Sequence, residues 1–151
     1  MNKTIEIKDN FLISIGENYL VITLGQDKEN LLKENIPYEK TEENNEDMLI
    51  NLKIFSNDIK HGILTFDKNK QNIIIGRSSN CDVIIEDKLL SRFHCTIYFK
   101  NDKWFLCDGY MENNINKKST NGTWLYAFED INIEQGMIFK SNHNLFICSF
   151  E

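Results

Sequence analysis

Only two arginines occur in this 151-residue chain, against fifteen lysines, and both fall in short strings that can build an anion site. The first string, Gly76-Arg77-Ser78-Ser79-Asn80-Cys81-Asp82, follows the apolar run Ile73-Ile74-Ile75. The second, Leu90-Ser91-Arg92-Phe93-His94, opens another apolar run. The third, Ser119-Thr120-Asn121-Gly122-Thr123, is rich in turn-forming residues. Arg77 lies just past a predicted strand, where its planar fork reaches solvent and can meet a phosphate with charge-assisted hydrogen bonds. Ser91 adds a hydroxyl donor and Arg92 a second cation. Thr120 and Asn121 place a small hydroxyl and a carboxamide where they can face a peptide backbone. A phosphorylated side chain, with three acceptor oxygens and close to two negative charges, suits such a set.

Each string is weak alone, since an arginine after a strand is often a solvated end and Asn-Gly is often only a turn. Together, with Trp104-Phe105-Leu106-Cys107-Asp108-Gly109 between the second and third, their order and spacing resemble a forkhead-associated (FHA) domain over residues 49–151. The resemblance implies that Arg77, Ser91, Arg92, Thr120 and Asn121 take the family's phosphothreonine-recognition positions. It also implies that Gly76, His94 and Gly122 hold the binding loops in shape. Leu89, just before Ser91, falls where the family commonly reads the residue three positions after the phosphothreonine. One departure stands out: nine residues, Tyr110 to Lys118, separate Gly109 from the Ser-Thr-Asn-Gly-Thr string, where family members have only a few. We read this insertion as a loop beside the site, with Lys117 and Lys118 as candidate specificity residues. The function implied is a non-catalytic module that binds phosphothreonine on partner proteins in phosphorylation-dependent signalling.

Enzymatic chemistry finds little support. Ser91, His94 and Asp108 contain the residue types of a hydrolase triad, but a Ser-x-x-His string has neither a nucleophile elbow nor a discernible oxyanion hole. Walker-loop, HExxH and paired zinc-ligand motifs are absent from the sequence, so neither a cofactor nor a metal is expected. The alternative function is an FHA-fold interaction or self-assembly module with a phosphate-independent interface.

The elements that must position these residues are short apolar runs punctuated by Asn, Asp, Gly and Lys. They predict strands at Leu49–Phe55, Gly62–Phe66, Asn72–Gly76, Asp82–Ile85, His94–Phe99, Lys103–Cys107, Thr123–Leu125, Ile131–Ile133, Met137–Lys140 and Leu145–Phe150. The expected fold is all-β, a sandwich of two twisted antiparallel sheets with about ten or eleven strands. Residues 1–48 are expected to form an N-terminal extension. It comprises a hairpin from Phe11–Ile15 and Tyr19–Leu24 docked on the sandwich, a weakly helical Asp27–Asn35, and an acidic linker over Glu39–Asp47. Thr41, in that linker, is a candidate phosphorylation site through which the chain would associate with itself.

The formal charge of −6 is a poor match for nucleic acid, which is usually gripped by a basic stripe, and no direct nucleic-acid binding is expected. The excess is local. Residues 1–48 hold eleven acidic and five basic side chains, while residues 49–151 hold twelve of each. Cys81, Cys95, Cys107 and Cys148 show no disulfide or zinc spacing and are expected to be reduced, buried thiols. The mixed charges of residues 3–9 do not resemble a signal peptide, and no apolar run approaches the ~20 residues of a membrane span. A nuclear or cytoplasmic protein with no membrane partner is the expectation.

Overall fold

The computed structural model describes residues 4–25, 49–56, 59–127, 130–141 and 144–151. The expected helix at Asp27–Asn35, the acidic linker and Thr41 lie outside the described residues. Those described contain strands and turns and no helix.

Period-two burial dictates the architecture. Along Asn18–Leu24, the side chains of Asn18, Leu20 and Ile22 are buried while Tyr19 faces solvent. The run Asn72–Gly76 likewise hides Ile73 and Ile75. Alternation of this kind gives each strand one apolar face to bury. The first sheet runs in the order β1 (Ile5–Glu6), β9 (Lys103–Asp108), β8 (Cys95–Lys100), β6 (Asn72–Gly76), β7 (Val83–Ile84). Only its β6–β7 pair is parallel. The second runs β12 (Thr123–Leu125), β2 (Phe11–Ile15), β3 (Asn18–Leu24), β4 (Ile50–Ser56), β5 (Ile59–Phe66). Between them lies one core, where Ile13, Ile15, Leu20, Ile22, Ile50 and Leu52 meet Ile73, Ile75, Ile97, Trp104 and Leu106. Each fully buried isoleucine or leucine contributes about 1.5–3 kcal/mol relative to exposure.

The N-terminal hairpin is not docked on this sandwich; it is built into it. β3 pairs with β4 over seven residues, from Asn18 opposite Ser56 to Leu24 opposite Ile50. β2 pairs with β12, the strand that follows the Ser-Thr-Asn-Gly-Thr string. The physical reason is plain in the core, since Ile13, Ile15, Leu20 and Ile22 are all fully buried there, and a two-stranded hairpin alone is marginal in water. Strands on both sides of the expected boundary at residues 48 and 49 thus share one sheet.

Three further differences from the sequence reading appear. No strand forms at Ile131–Ile133. β13 (Ile138–Ser141) and β14 (Asn144–Ile147) pair only with each other, and their residues are exposed. Cys81 and Cys95 are buried free thiols, but Cys107 and Cys148 are only partly covered.

Candidate functional site

The site is assembled by main-chain bonds between the end of β6 and the loop before β8. Arg77 N–H donates to Ser91 O at 3.2 Å, Ser78 N–H to Arg92 O at 3.1 Å, and His94 N–H to Ile75 O at 2.8 Å. Gly76 makes this approach possible. A Cβ there would collide with the Arg92 carbonyl oxygen and lie 3.0 Å from His94 N. Arg77 is exposed, and its Nε donates to Leu90 O at 2.8 Å, which leaves both Nη ends for a ligand. Arg92 is also exposed, while its carbonyl accepts the Cys81 Sγ–H at 3.1 Å.

His94 is fully buried and ties two loops together. Its Nδ1 accepts Ser91 N–H at 3.1 Å, so Nε2 carries the proton and donates to Gly122 O at 3.1 Å. Burial pushes its pKa below the ordinary value, against the upward pull of the Gly122 carbonyl and of Asp108 and Asp87. With both ring nitrogens committed to main chain, the hydrogen bonds of a Ser91–His94–Asp108 triad are not formed. Ser91 Oγ instead accepts Thr120 N–H at 2.9 Å and donates to Thr120 Oγ1 at 3.3 Å. That leaves the Thr120 hydroxyl proton free to turn outward.

Asp108 clamps the third string into a turn. Its carboxylate accepts Ser119 Oγ–H at 2.6 Å, Ser119 N–H at 3.3 Å and Thr123 Oγ1–H at 2.9 Å. Ser119 Oγ in turn accepts Gly122 N–H at 2.9 Å, and Gly122 sits at φ +77°, a conformation that favours glycine. Asn121 reaches across to the second string, its Nδ2 donating to Leu89 O at 2.7 Å, and its own carbonyl accepts Trp124 Nε1–H at 2.9 Å. Arg77, Ser91, Thr120 and Asn121 are thereby joined through direct bonds to one loop, Leu89–Ser91. Asp87 and Asp108, which hold that loop and the turn, are the positioning residues that reasoning from motifs passed over. An aspartate two residues before a loop amide was the local signal for the first, because Leu89 N–H donates to Asp87 Oδ1 at 2.8 Å.

Residues 73–140 match the family model of the FHA domain. Over these residues the chain is similar to an FHA domain. FHA domains are phosphopeptide-binding modules, generally non-catalytic, whose partners are phosphorylated proteins. No curated protein and no solved structure matches the chain. The matched span begins inside β6, so β2 to β5, four of the five strands of the second sheet, lie outside it.

The insertion in this FHA-like span is a hairpin, not an open loop. β10 (Tyr110–Glu112) pairs with β11 (Ile115–Lys117) around Asn113 and Asn114, both at positive φ, +51° and +62°. Two such central residues make the turn whose twist matches a hairpin, and the Asn-Asn dipeptide was its signature in the sequence. Gly109, at φ +81°, lets the hairpin's returning strand cross closely, since a Cβ would meet the Lys117 carbonyl. The hairpin stands beside Arg92, with the Phe93 and Tyr110 rings 4.6 Å apart. Lys117 forms an ion pair with Glu112, which raises the lysine pKa and lowers that of the glutamate. Lys117 is therefore not the free cation expected of it. Lys118 is exposed, and neither it nor the two arginines forms an ion pair among the described residues. On its far side the hairpin walls a cleft of about 310 Å³, lined among others by Tyr98, Cys107, Met111 and Asn116 and by none of the phosphate-site residues. No cluster of metal-ligating side chains occurs among the described residues.

Proposed function

We propose that the chain is a phosphothreonine-peptide receptor, a non-catalytic adaptor in phosphorylation-dependent signalling, with Arg77, Ser91, Arg92, Thr120 and Asn121 as its contact residues. One observation carries this reading. The exposed guanidinium of Arg77 and the hydroxyls of Ser91 and Thr120 are held by the same loop, with no carboxylate paired to either arginine among the described residues. A dianionic group supplies the missing counter-charge, accepting from the Arg77 fork and the Thr120 hydroxyl, and from Ser91 once its hydroxyl proton turns from Thr120 to the ligand. The γ-methyl of threonine distinguishes it from serine through one small apolar contact, a preference of about 1 kcal/mol. A nuclear or cytoplasmic setting is proposed with it, in keeping with the free thiols. An oriented phosphothreonine peptide library tests the reading, with enrichment over the same library unphosphorylated as the expected result. Equal enrichment of both overturns it.

A second reading, assembly through a phosphate-independent interface, is favoured by the C-terminal hairpin, where Ile138, Phe139, Leu145, Phe146 and Ile147 are all exposed. Contiguous apolar surface on a monomer often marks an interaction face. Association that survives phosphatase treatment and is lost on Phe146→Ser supports that reading. Its absence leaves the phosphopeptide role alone.

A further inference from the structure

The turn of the N-terminal hairpin, Gly16-Glu17-Asn18, lies far from the site in sequence and outside the span matched to the FHA family. Yet it is bonded directly to the loop from which the site is built. Asp87 Oδ2 accepts Glu17 N–H at 2.9 Å and Asn18 Nδ2–H at 2.8 Å. Asp87 Oδ1 accepts Leu89 N–H at 2.8 Å, and the Asp87 carbonyl accepts Leu90 N–H at 3.1 Å. The contact is close and partly buried. Asn18 is 3% exposed and Leu90 2%, and Gly16, at φ +58°, has no room for a Cβ against Asp87 and Leu90. From there the bonding continues into the site without a gap. The carbonyls of Leu89, Leu90 and Ser91 accept, in turn, Asn121 Nδ2, Arg77 Nε and Arg77 N.

We propose that Asp87 is a positioning residue for peptide binding, through which the N-terminal hairpin turn fixes the Leu89–Ser91 loop and, with it, the Arg77 fork and the Asn121 carboxamide. The phosphopeptide site is thus completed by residues outside the family-like span. This rests on the phosphopeptide reading for its ligand but not for its geometry. A carboxylate is required because both oxygens accept; an amide offers one acceptor and one donor and satisfies only one side. Recognition depends on such preorganisation, because a loop left to order on binding weakens the complex.

The test uses the full chain with Asp87→Asn, and Asn18→Ala as a second variant should the first fail to fold. Hydrogen exchange by NMR is read at the Leu89 amide and the Arg77 Nε–H, and affinity is read against the top-ranked peptide of the phosphothreonine library. Exchange at both positions is expected to accelerate tenfold or more and peptide affinity to fall at least tenfold. The Leu20 and Ile97 amides, in the sheets, should keep their protection, which a general loss of stability would not allow. Unchanged exchange at Leu89 and Arg77 overturns the inference, as does faster exchange with affinity within threefold of wild type. Should the wild-type chain enrich no phosphopeptide, the proposed function falls, and exchange alone decides whether the hairpin holds the loop.

Discussion

Replacing Arg77 by alanine separates binding from folding at the residue on which the proposed function turns. Of the five guanidinium N–H groups, one is spent on the Leu90 carbonyl at 2.8 Å, leaving four at the two Nη ends for a ligand. A hydrogen bond to a charged group contributes about 1.5–3 kcal/mol, so losing a two-bond fork on phosphate costs about 3–6 kcal/mol. At about 1.4 kcal/mol per decade, affinity falls by about two to four orders of magnitude. The stability cost is smaller, because Arg77 is exposed and gives the fold one side-chain bond, worth about 0.5–1.5 kcal/mol. For a chain of this size that lowers Tm by roughly 1–6 °C.

Calorimetric titration of the selected phosphothreonine peptide, with thermal unfolding in parallel, reads both quantities. Arg77→Lys keeps a cation without the Leu90 bond or the fork, and should retain part of the affinity, about tenfold below wild type. Lys100→Ala, the same charge change at the far end of β8, is the control and should bind as wild type does. Alanine at position 77 binding within threefold of wild type refutes the reasoning. Lysine binding as well as arginine removes the fork from it and leaves charge alone.

Three other outcomes follow from the geometry. Gly76→Ala puts a methyl against the Arg92 carbonyl and is expected to destabilise the fold by about 1–3 kcal/mol in chemical denaturation while weakening peptide binding, whereas an unchanged midpoint contradicts the close approach. His94 is held neutral with its pKa below the ordinary 6.5, so below that pH the unfolded chain takes up a proton that the folded chain refuses; Tm should fall as pH drops through 6.5 toward the folded-state pKa, His94→Gln should lose this dependence, and a wild-type Tm flat from pH 7.5 to 5.5 would speak against it. Lys118→Ala should weaken peptide binding a few-fold at low salt and less at high salt, while Lys117→Ala, which removes a cation already matched by Glu112, should change affinity less; the reverse ranking in a salt series would show that the ion pair opens on binding.

A local run of apolar side chains was enough to locate every strand of the two sheets except Ile5–Glu6, because the face a strand buries must be apolar, as at Leu20 and Ile22 or Ile73 and Ile75. It misled at Ile131–Ile133, where the pattern is present but no neighbouring strand pairs with it. Ile5–Glu6 was invisible as a strand because two residues carry no period; what makes them one is their pairing with Leu106 and Phe105. The site residues were legible as types, since charge and hydroxyl chemistry travel with the residue. Their support was not, because the decisive partners are remote: Asp87 meets residues about seventy positions earlier, and Asn121 meets Leu89 thirty-two positions back.

The same remote bonds explain how a chain of net charge −6 leaves both arginines without an ion pair among the described residues. Two carboxylates, Asp87 and Asp108, lie close enough to act on His94 and would ordinarily be candidates to neutralise the arginines. Each is already saturated by uncharged donors, Asp87 by Glu17, Asn18 and Leu89, Asp108 by Ser119 and Thr123. Neutral N–H and O–H partners satisfy these anions without calling on a guanidinium, so the acids serve the scaffold and the cations stay available. An ion pair at Arg77 would have to be broken, and both charges desolvated, before a phosphate could bind. Holding Asp87 and Asp108 with amides and hydroxyls removes that step, which is why local charge, and not the sum over the chain, decides what this face can recognise.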